Sequence, residues 1–578
     1  MHKAVVITCL VLLAVLVAAT TGRDDNGRAD FTFNNNLEVN ALDPHVISWK
    51  HDIRIANALF EGLMAFEVLP PDDGGRLGRL GLTHGVAERV DVSDDRLTHT
   101  FHLRRDARWS NGQPVTAEQF RWSFQRVLTP VTAADYVGLM FVIAGARDYY
   151  EALADGRDAS FDDVGVRVVG PRTLEVRLAA PCPYFLELTA FPPFFPVWPP
   201  LLEAHPKTAG DPAGQGGIAA YDAAAWTKPD ELVCNGPFVL ERHWYKRRIV
   251  LRRHEHYWDR ANVACERIVA LAVEDSNAAL NAYESGHCDM ITSLPPAAAR
   301  ALAARPDERR RRDYIRSTSF GTYFYRFNCQ PSAAGRANPF ADPRVRRAFV
   351  MAVDKTDITA VTGVGQPEAP TFIPPGLTVT DRDGNPVPYV PPDGQTCDPE
   401  AARALLAEAG YPDGEGLGEV RMIYNTGAGH APVAQRLASI WQQELGVSVT
   451  LMPMDGNAFG AALKAGSDKR WHIGRGGWFG DYRDPSTFLE MFMTDDGNND
   501  SGYADAVYDR LLRTAAVATD PRERMRLFAA AEARVVVDQA AILPLYHYVE
   551  HTMVRPHIRG AWPNAMGYTI LKQIEVNR

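Results

Sequence analysis

Apolar and polar positions along the chain alternate between two periods, one close to 3.6 residues and one of two, which predicts interleaved helices and strands. Phe31-Thr32-Phe33 and the segment Asn34 to Pro44 read as a first strand and turn. Helical spacing then runs through Ile53, Ala56, Leu59 and Phe60 and stops at Gly62. After a Pro/Asp/Gly-rich loop (Pro70 to Gly75), alternation of apolar and polar residues from Leu97 to Leu103 predicts a half-buried strand, and Asn111-Gly112 a turn. Thr116 with Gln119 forms a capping box for a helix whose Phe120, Phe124 and Val127 share a face. Val164 to Leu178 predicts two strands joined at Gly170-Pro171. The proline-rich run Phe191 to Pro200 suits a linker or crossover, and Leu201 to Lys228 gives no clear pattern.

The second half is better punctuated. Phe238 to Leu251 is β-rich, Asn277 to Ser285 helical, and Tyr314 to Asn328 an aromatic, β-branched strand. Asp342-Pro343 and Asp398-Pro399 each supply an N-cap and first residue of a helix. Val420 to Tyr424, Pro432 to Leu445 and Val447 to Leu451 form a βαβ unit. Its first loop, Asn425 to His430, falls at the carboxyl end of a strand, where parallel sheets tend to bind ligands.

One stretch stands out chemically: Arg475-Gly-Gly-Trp478-Phe479-Gly-Asp481-Tyr-Arg483-Asp484-Pro485. A guanidinium, an indole and a carboxylate among glycines could read an anion, an apolar group and a cation on one small molecule. The pattern predicts a loop whose glycines take backbone shapes closed to other residues. Asp484 and Pro485 would open a helix carrying Phe488, Leu489, Phe492 and Met493. An ordinary turn with surface ions is the plain alternative.

Length and composition narrow the class. The 578 residues imply several domains, and 46% hydrophobic with 23% charged residues is a globular composition. A formal net charge of -10 argues against a general nucleic-acid binder, so the basic run Arg309 to Arg312 reads as a solvated face. Met1 to Ala19 has the charged start, apolar core and small-residue end of a secretory signal, with an uncleaved membrane anchor as the alternative. Cys182, Cys234, Cys265, Cys288, Cys329 and Cys397 permit disulfides in an exported protein, in pairings the sequence leaves open. His547-Tyr-Val-Glu550-His551 fits the inverted zinc-peptidase pattern. That pattern needs a helix, whereas Ile542 to Val549 is strand-like. Asp496, Asn498 and Asp500 echo a calcium loop without its glycine or its final glutamate. No GxSxG elbow or phosphate loop occurs, so no metal or cofactor is expected and an enzyme is disfavoured.

Taken together, the chain resembles the periplasmic oligopeptide-binding proteins of ABC peptide permeases, the family-5 solute-binding proteins. The resemblance runs from Asn34-Asn35 to the C-terminus. It is carried by Ala41-Leu-Asp-Pro-His45, Leu59-Phe-Glu-Gly-Leu63, Phe101-His-Leu-Arg104, Trp109 to Ala117, Asn235-Gly-Pro, Tyr257-Trp258, Asp342 to Ala348, Ala407 to Tyr411, Tyr424-Asn-Thr426 and the stretch from Arg475. It implies an α/β, two-lobed periplasmic binding protein of the cluster-C type, with an extra inserted domain and two crossover strands near Phe320 to Asn328 and Tyr548-Val549. The implied order is signal peptide 1–19, lobe I 30–60, inserted domain 61–198, lobe I again 199–320, lobe III 321–549 and lobe I to the end, 550–578.

The resemblance further implies a non-enzymatic, periplasmic monomer that closes on short peptides with a free N-terminus and passes them to a transmembrane permease. Asp481 would hold the α-ammonium, and Arg475 and His430 would act as cations for the C-terminal carboxylate. Trp478, Tyr136 and Tyr548 would line the site, and main chain near Ser48 to Lys50 and Phe479 would pair with the peptide backbone. Rival readings on the same fold are dipeptides, nickel complexes, opines or oligosaccharides. A sensory role could be added, and a secreted zinc peptidase using His547, Glu550 and His551 is the enzyme alternative. Relatives can carry an acid at the position of Ser48, and some a disulfide at those of Gly321 and Phe479. This chain has neither.

Overall fold

The computed structural model describes residues 29–577 apart from 72–74, 208–216, 306–310, 381–384, 428, 465 and 467–468. The signal segment and most of the polar leader Arg23 to Ala29 lie outside the described residues, as do parts of the Pro70 loop, the Leu201 to Lys228 segment and the Arg309 run. Among the described residues no helix is long and apolar enough to cross a membrane.

A ten-stranded mixed sheet organises the molecule. Its strands are β1 (Phe31–Asn34), β2 (Phe238–Trp244), β3 (Arg248–Arg253), β4 (Arg267–Leu271), β5 (Met290–Ile291), β6 (Tyr314–Phe327), β7 (Val420–Asn425), β8 (Val449–Met454), β9 (Ile473–Phe479) and β10 (Ile542–Val554). Their order is β8-β7-β9-β6-β10-β5-β1-β4-β3-β2. Two long antiparallel strands, β6 and β10, stand at its middle and belong to both halves. One end of β10 pairs with β5, while the other end of β6 pairs with β9. Their mutual register breaks between Thr318↔Val549 and Thr322↔His547, so the ladder bends where the two lobes meet.

Each lobe has its own core. The first is built on Phe31, Phe33, Leu59, Phe238, Leu251 and Ile268, with Ile574 returning from the C-terminus. The second has cores on the two sides of its sheet, around Trp441 and Tyr325 and around Phe324 and Phe488. The predicted βαβ unit forms as read, β7 parallel to β8, with helix α4 (His430–Leu445) between them. A separate antiparallel sheet, ordered Ala87–Val92, Thr98–Leu103, Thr173–Arg177, Val166–Gly170, packs with helix α2 (Ala117–Val127) around Phe101, Trp109 and Phe124. The Thr116/Gln119 capping box is present on α2.

Several sequence motifs turn out to lock these units together. Asp43 and His45 are buried against Arg126 of α2, at 2.6 and 2.8 Å, and His45 Nε2 reaches the Phe195 carbonyl at 2.9 Å. Asn235 exchanges hydrogen bonds with the Glu61 main chain, and the Glu61 carboxylate accepts hydrogen bonds from the Tyr257 hydroxyl and Trp258 Nε1. The six cysteines among the described residues are free thiols. Gly321 and Phe479 are direct cross-strand partners, and the Phe479 ring fills the space a Gly321 side chain would need.

Candidate functional site

The stretch from Arg475 is a strand, not the expected loop. Residues 473–479 form β9, and Gly476, Gly477 and Gly480 do not take positive φ. The reason for glycine is room: a Cβ on Gly476 would meet the Phe324 ring at 2.5 Å, and one on Gly480 would overlap Phe320. The helix after it is also shorter than expected. Helix α5 (Ser486–Leu489) is a single turn that starts one residue after the predicted position, with Asp484 accepting the Ser486 N–H at 3.0 Å. Phe488, Leu489 and Phe492 are buried as expected.

Alternation along β9 divides its side chains. Arg475 and Phe479 face Tyr548, whereas Trp478 packs on the opposite core. Arg475 donates to Tyr548 Oη at 2.9 Å, and its guanidinium lies 4.8 Å from the Tyr323 ring centre. Its buried Nε has no partner among the described residues. Tyr323 in turn stacks on Tyr546 at 4.7 Å and on His430 at 5.6 Å, and its hydroxyl is 3.2 Å from His430 Nδ1. His430 is thus the first residue of α4 rather than a loop residue. It is not the expected cation either: burial, then the Arg475 charge, push its pKa down to about 4. Tyr323 and Tyr546 were not singled out in the sequence. Their signal is the spacing of two in Tyr323-Phe-Tyr325 and Tyr546-His-Tyr548, which puts each pair on one face of a strand.

At the other end of β9, Asp481 receives the Tyr136 hydroxyl at 3.4 Å, and its own N–H donates to Thr487 Oγ1 at 3.1 Å. Trp478 Nε1 donates to the Thr487 carbonyl at 2.6 Å, so the indole braces the Asp481 turn from behind. No described cation pairs with Asp481. Burial raises its pKa to about 6, and the Tyr136 hydrogen bond only partly offsets this. Beyond it, Tyr482 stacks on Tyr184 at 4.0 Å, and Arg483 grips Glu187 at 2.7 and 3.1 Å. Both contacts join the second lobe to the unit built on the separate four-stranded sheet.

The segment Ser48 to Lys50 closes the ring of elements. Ser48 Oγ donates to Asp135 at 2.6 Å. Lys50, first residue of helix α1 (Lys50–Leu59), reaches Glu550 at 3.0 Å and lies 5.0 Å from the Phe479 ring centre. Phe479 stacks on Tyr548 at 4.6 Å and remains 43% exposed. One edge of β9 is fully paired with β6. On the other edge β7 reaches only Ile473 and Gly474, so among the described residues no strand pairs with the outer edge from Arg475 to Phe479.

The histidines weighed as zinc ligands lie on strand β10. His547 Nδ1 meets the Thr322 hydroxyl at 2.9 Å, His551 Nδ1 the Tyr314 hydroxyl at 2.8 Å, and Glu550 is taken by Lys50. Among the described residues no three His, Cys, Asp or Glu side chains gather as a metal site. In the calcium-like stretch, Asp500 is paired with Arg326 and Lys464.

Known proteins share this architecture. A profile described as bacterial extracellular solute-binding proteins, family 5 Middle, matches residues 81–500. The chain is 33% identical over 536 residues to the periplasmic oligopeptide-binding protein OppA of Salmonella typhimurium, covering 91% of this chain and 88% of that protein. Among solved structures it is similar to the Escherichia coli murein tripeptide binding protein MppA, with a TM-score of 0.72 at 28% identity over 95% of this chain and 98% of that one. It is similar also to Haemophilus influenzae OppA in complex with RPPGFSPFR, with a TM-score of 0.71 at 27% identity over 95% and 99%. With the profile spanning most of the sequence and this identity holding along nearly its whole length, the chain belongs to the bacterial extracellular solute-binding proteins of family 5.

Proposed function

We propose that this protein captures short peptides with a free N-terminus between its lobes and delivers them, chemically unchanged, to the transmembrane permease of an ABC transporter. The observation that carries the reading is the open edge of Arg475 to Phe479, bracketed by a half-buried carboxylate at Asp481 with no described cation and a guanidinium at Arg475. A free strand edge offers N–H and C=O groups at fixed spacing, so it pairs with a peptide main chain whatever the side chains.

The two charges set polarity. An ammonium at Asp481 and a carboxylate at Arg475 make the peptide antiparallel to β9. Six residues of extended chain span about 20 Å, which fits peptides of about two to five residues once the arginine's reach is included. Longer peptides place their carboxylate beyond Arg475. His430, neutral beside Arg475, adds a hydrogen-bonding and stacking surface rather than a second charge. The relatives support the same ligand class: one is named for oligopeptides, one for a murein tripeptide, and one holds RPPGFSPFR.

The test is native mass spectrometry of the purified protein, followed by denaturation and sequencing of what is released. A set of short peptides sharing length but not sequence is expected. Their C-terminally amidated forms should bind more weakly at the length where Arg475 engages, because a charge-assisted hydrogen bond is lost. A released metal complex, opine or sugar would overturn the proposal.

A further inference from the structure

The hairpin joining β2 to β3 carries Arg242-His243-Trp244-Tyr245-Lys246-Arg247-Arg248, a run of cations and aromatics in a chain of net charge -10. Trp244 pairs with Arg248, which leaves Tyr245, Lys246 and Arg247 as the turn, closed by Lys246 at φ 55°. Tyr245 is 71% exposed, and Arg242, Lys246 and Arg247 are exposed with it. Among the described residues no carboxylate makes an ion pair with any of these three cations. Glu38, which touches the turn, is already occupied: it accepts His243 Nε2 at 2.7 Å and the Lys246 backbone N–H. The guanidinium groups of Arg242 and Arg248 flank the Trp244 ring at 5.8 and 4.6 Å.

We propose that this hairpin tip docks the protein on a bilayer surface bearing anionic phospholipid headgroups. Three unpaired cations would meet lipid phosphates, and Trp244 and Tyr245 have the amphipathic rings that settle at the boundary of headgroup and acyl chain. A projecting turn of a few residues is far smaller than the ~800 Å² per partner of a stable protein interface, which favours lipid over an acidic protein face.

Placement supports the same partner. β2 is the edge strand at the opposite end of the sheet from β8, so anchoring through the first lobe leaves the second free to close. The tip lies at the carboxyl end of β1 and β4, since Leu271 pairs with Arg248 and Asn34 with Leu271. The same end of β1 leads through Leu37, itself 43% exposed, and Glu38 to Ser48–Lys50. A docked tip therefore brings the cleft-lining segment towards the membrane. None of this depends on which solute the cleft holds.

The experiment is co-sedimentation of the full mature protein with vesicles of phosphatidylcholine alone or with phosphatidylglycerol, at low and at physiological salt. Retention on the phosphatidylglycerol vesicles alone, weakening as salt rises, is the expected result. Each cation near such a surface changes binding by about fivefold, so Arg242→Gln/Lys246→Gln/Arg247→Gln should bind about a hundredfold more weakly. Tyr245→Ser should weaken retention several-fold, with far-ultraviolet dichroism and solute affinity unchanged in both variants. Equal retention on phosphatidylcholine, or retention indifferent to the triple substitution, would overturn the proposal. So would capture on immobilised polyglutamate without capture on the anionic vesicles, which would assign an acidic protein surface instead.

Discussion

Asp481 owes its character to what does not surround it. A half-buried carboxylate with the Tyr136 hydroxyl as its side-chain partner and no described cation is poorly solvated as an anion, which is why its pKa rises to about 6. Because the folded-state value exceeds the ordinary 3.8, the ionised group lowers stability, and that loss sets in as pH rises from about 4 to about 6. A bound ammonium reverses the sign by stabilising the anion. Peptide affinity should therefore fall as pH drops through about 6, by up to tenfold per unit, since binding must expel one proton. Asp481→Asn should lose roughly 1.5–3 kcal/mol of binding and flatten this profile. Calorimetry from pH 4.5 to 8 checks both, and an unchanged affinity in the variant would remove Asp481 from the site.

Within the element, β9 shows glycine used for clearance. Its backbone is ordinary extended strand, so Gly476 is required by the Phe324 ring packed against its face, not by any unusual dihedral. Gly476→Ala should destabilise the fold by roughly 1–3 kcal/mol, the scale of overpacking a filled core. Gly460→Ala, in the helix Gly456–Leu463 with no atom within 4 Å of the added Cβ, should instead stabilise by roughly 0.5–1 kcal/mol. Urea midpoints at constant slope measure the pair. A neutral Gly476→Ala would show that the aromatic face of β9 can yield.

At the scale of the whole molecule, the second lobe touches the unit built on the separate four-stranded sheet through contacts that no ligand makes. Tyr482 follows β9 of the second lobe yet is buried in the core around Phe101, Trp109 and Phe124, and Arg483 joins Glu187 and the Leu80 carbonyl. Asp484, buried against Arg524, fixes the turn from the lobe's own side. Such a latch raises the fraction of empty protein that is already closed, and the apparent dissociation constant scales inversely with the binding-competent fraction. Arg483→Ala should enlarge the radius of gyration of the unliganded protein in small-angle scattering and weaken binding about five- to tenfold. Ligand should restore the compact form. Identical scattering and affinity would mean that closure depends on ligand alone.

Acid stability is also a property of the assembled fold. His45, His99, His430, His472, His547 and His551 are each held down to about 4, burial being the first cause in all six. A depressed histidine leaves the folded state with fewer protons than the unfolded chain, so stability falls as pH drops from about 6.5 to about 4. Asp481, at about 6, and Glu490 and Glu532, at about 7, act in the opposite sense but are fewer. The melting temperature should therefore decline between pH 6.5 and 4.5. A rising one would show that the buried carboxylates dominate.

Local pattern determined the elements: the aromatic and β-branched composition of β6 and β10, the Thr116 capping box, the βαβ unit and the strand character of His547 to His551 are all written in short-range sequence. The unusual composition of Arg475 to Asp481 was equally visible as chemistry. What composition could not distinguish was a glycine that bends a loop from a glycine that makes room for a ring 152 residues away, Gly476 beside Phe324. Nor could it show that His430 would be neutral, because its pKa is set by burial and by Arg475, which is remote in sequence. The free edge of β9, the unpaired carboxylate and the latch to Glu187 all depend on which distant segments meet. Periodicity records only which face of an element is apolar, and long-range packing alone decides what that face, and each strand edge, is left to contact.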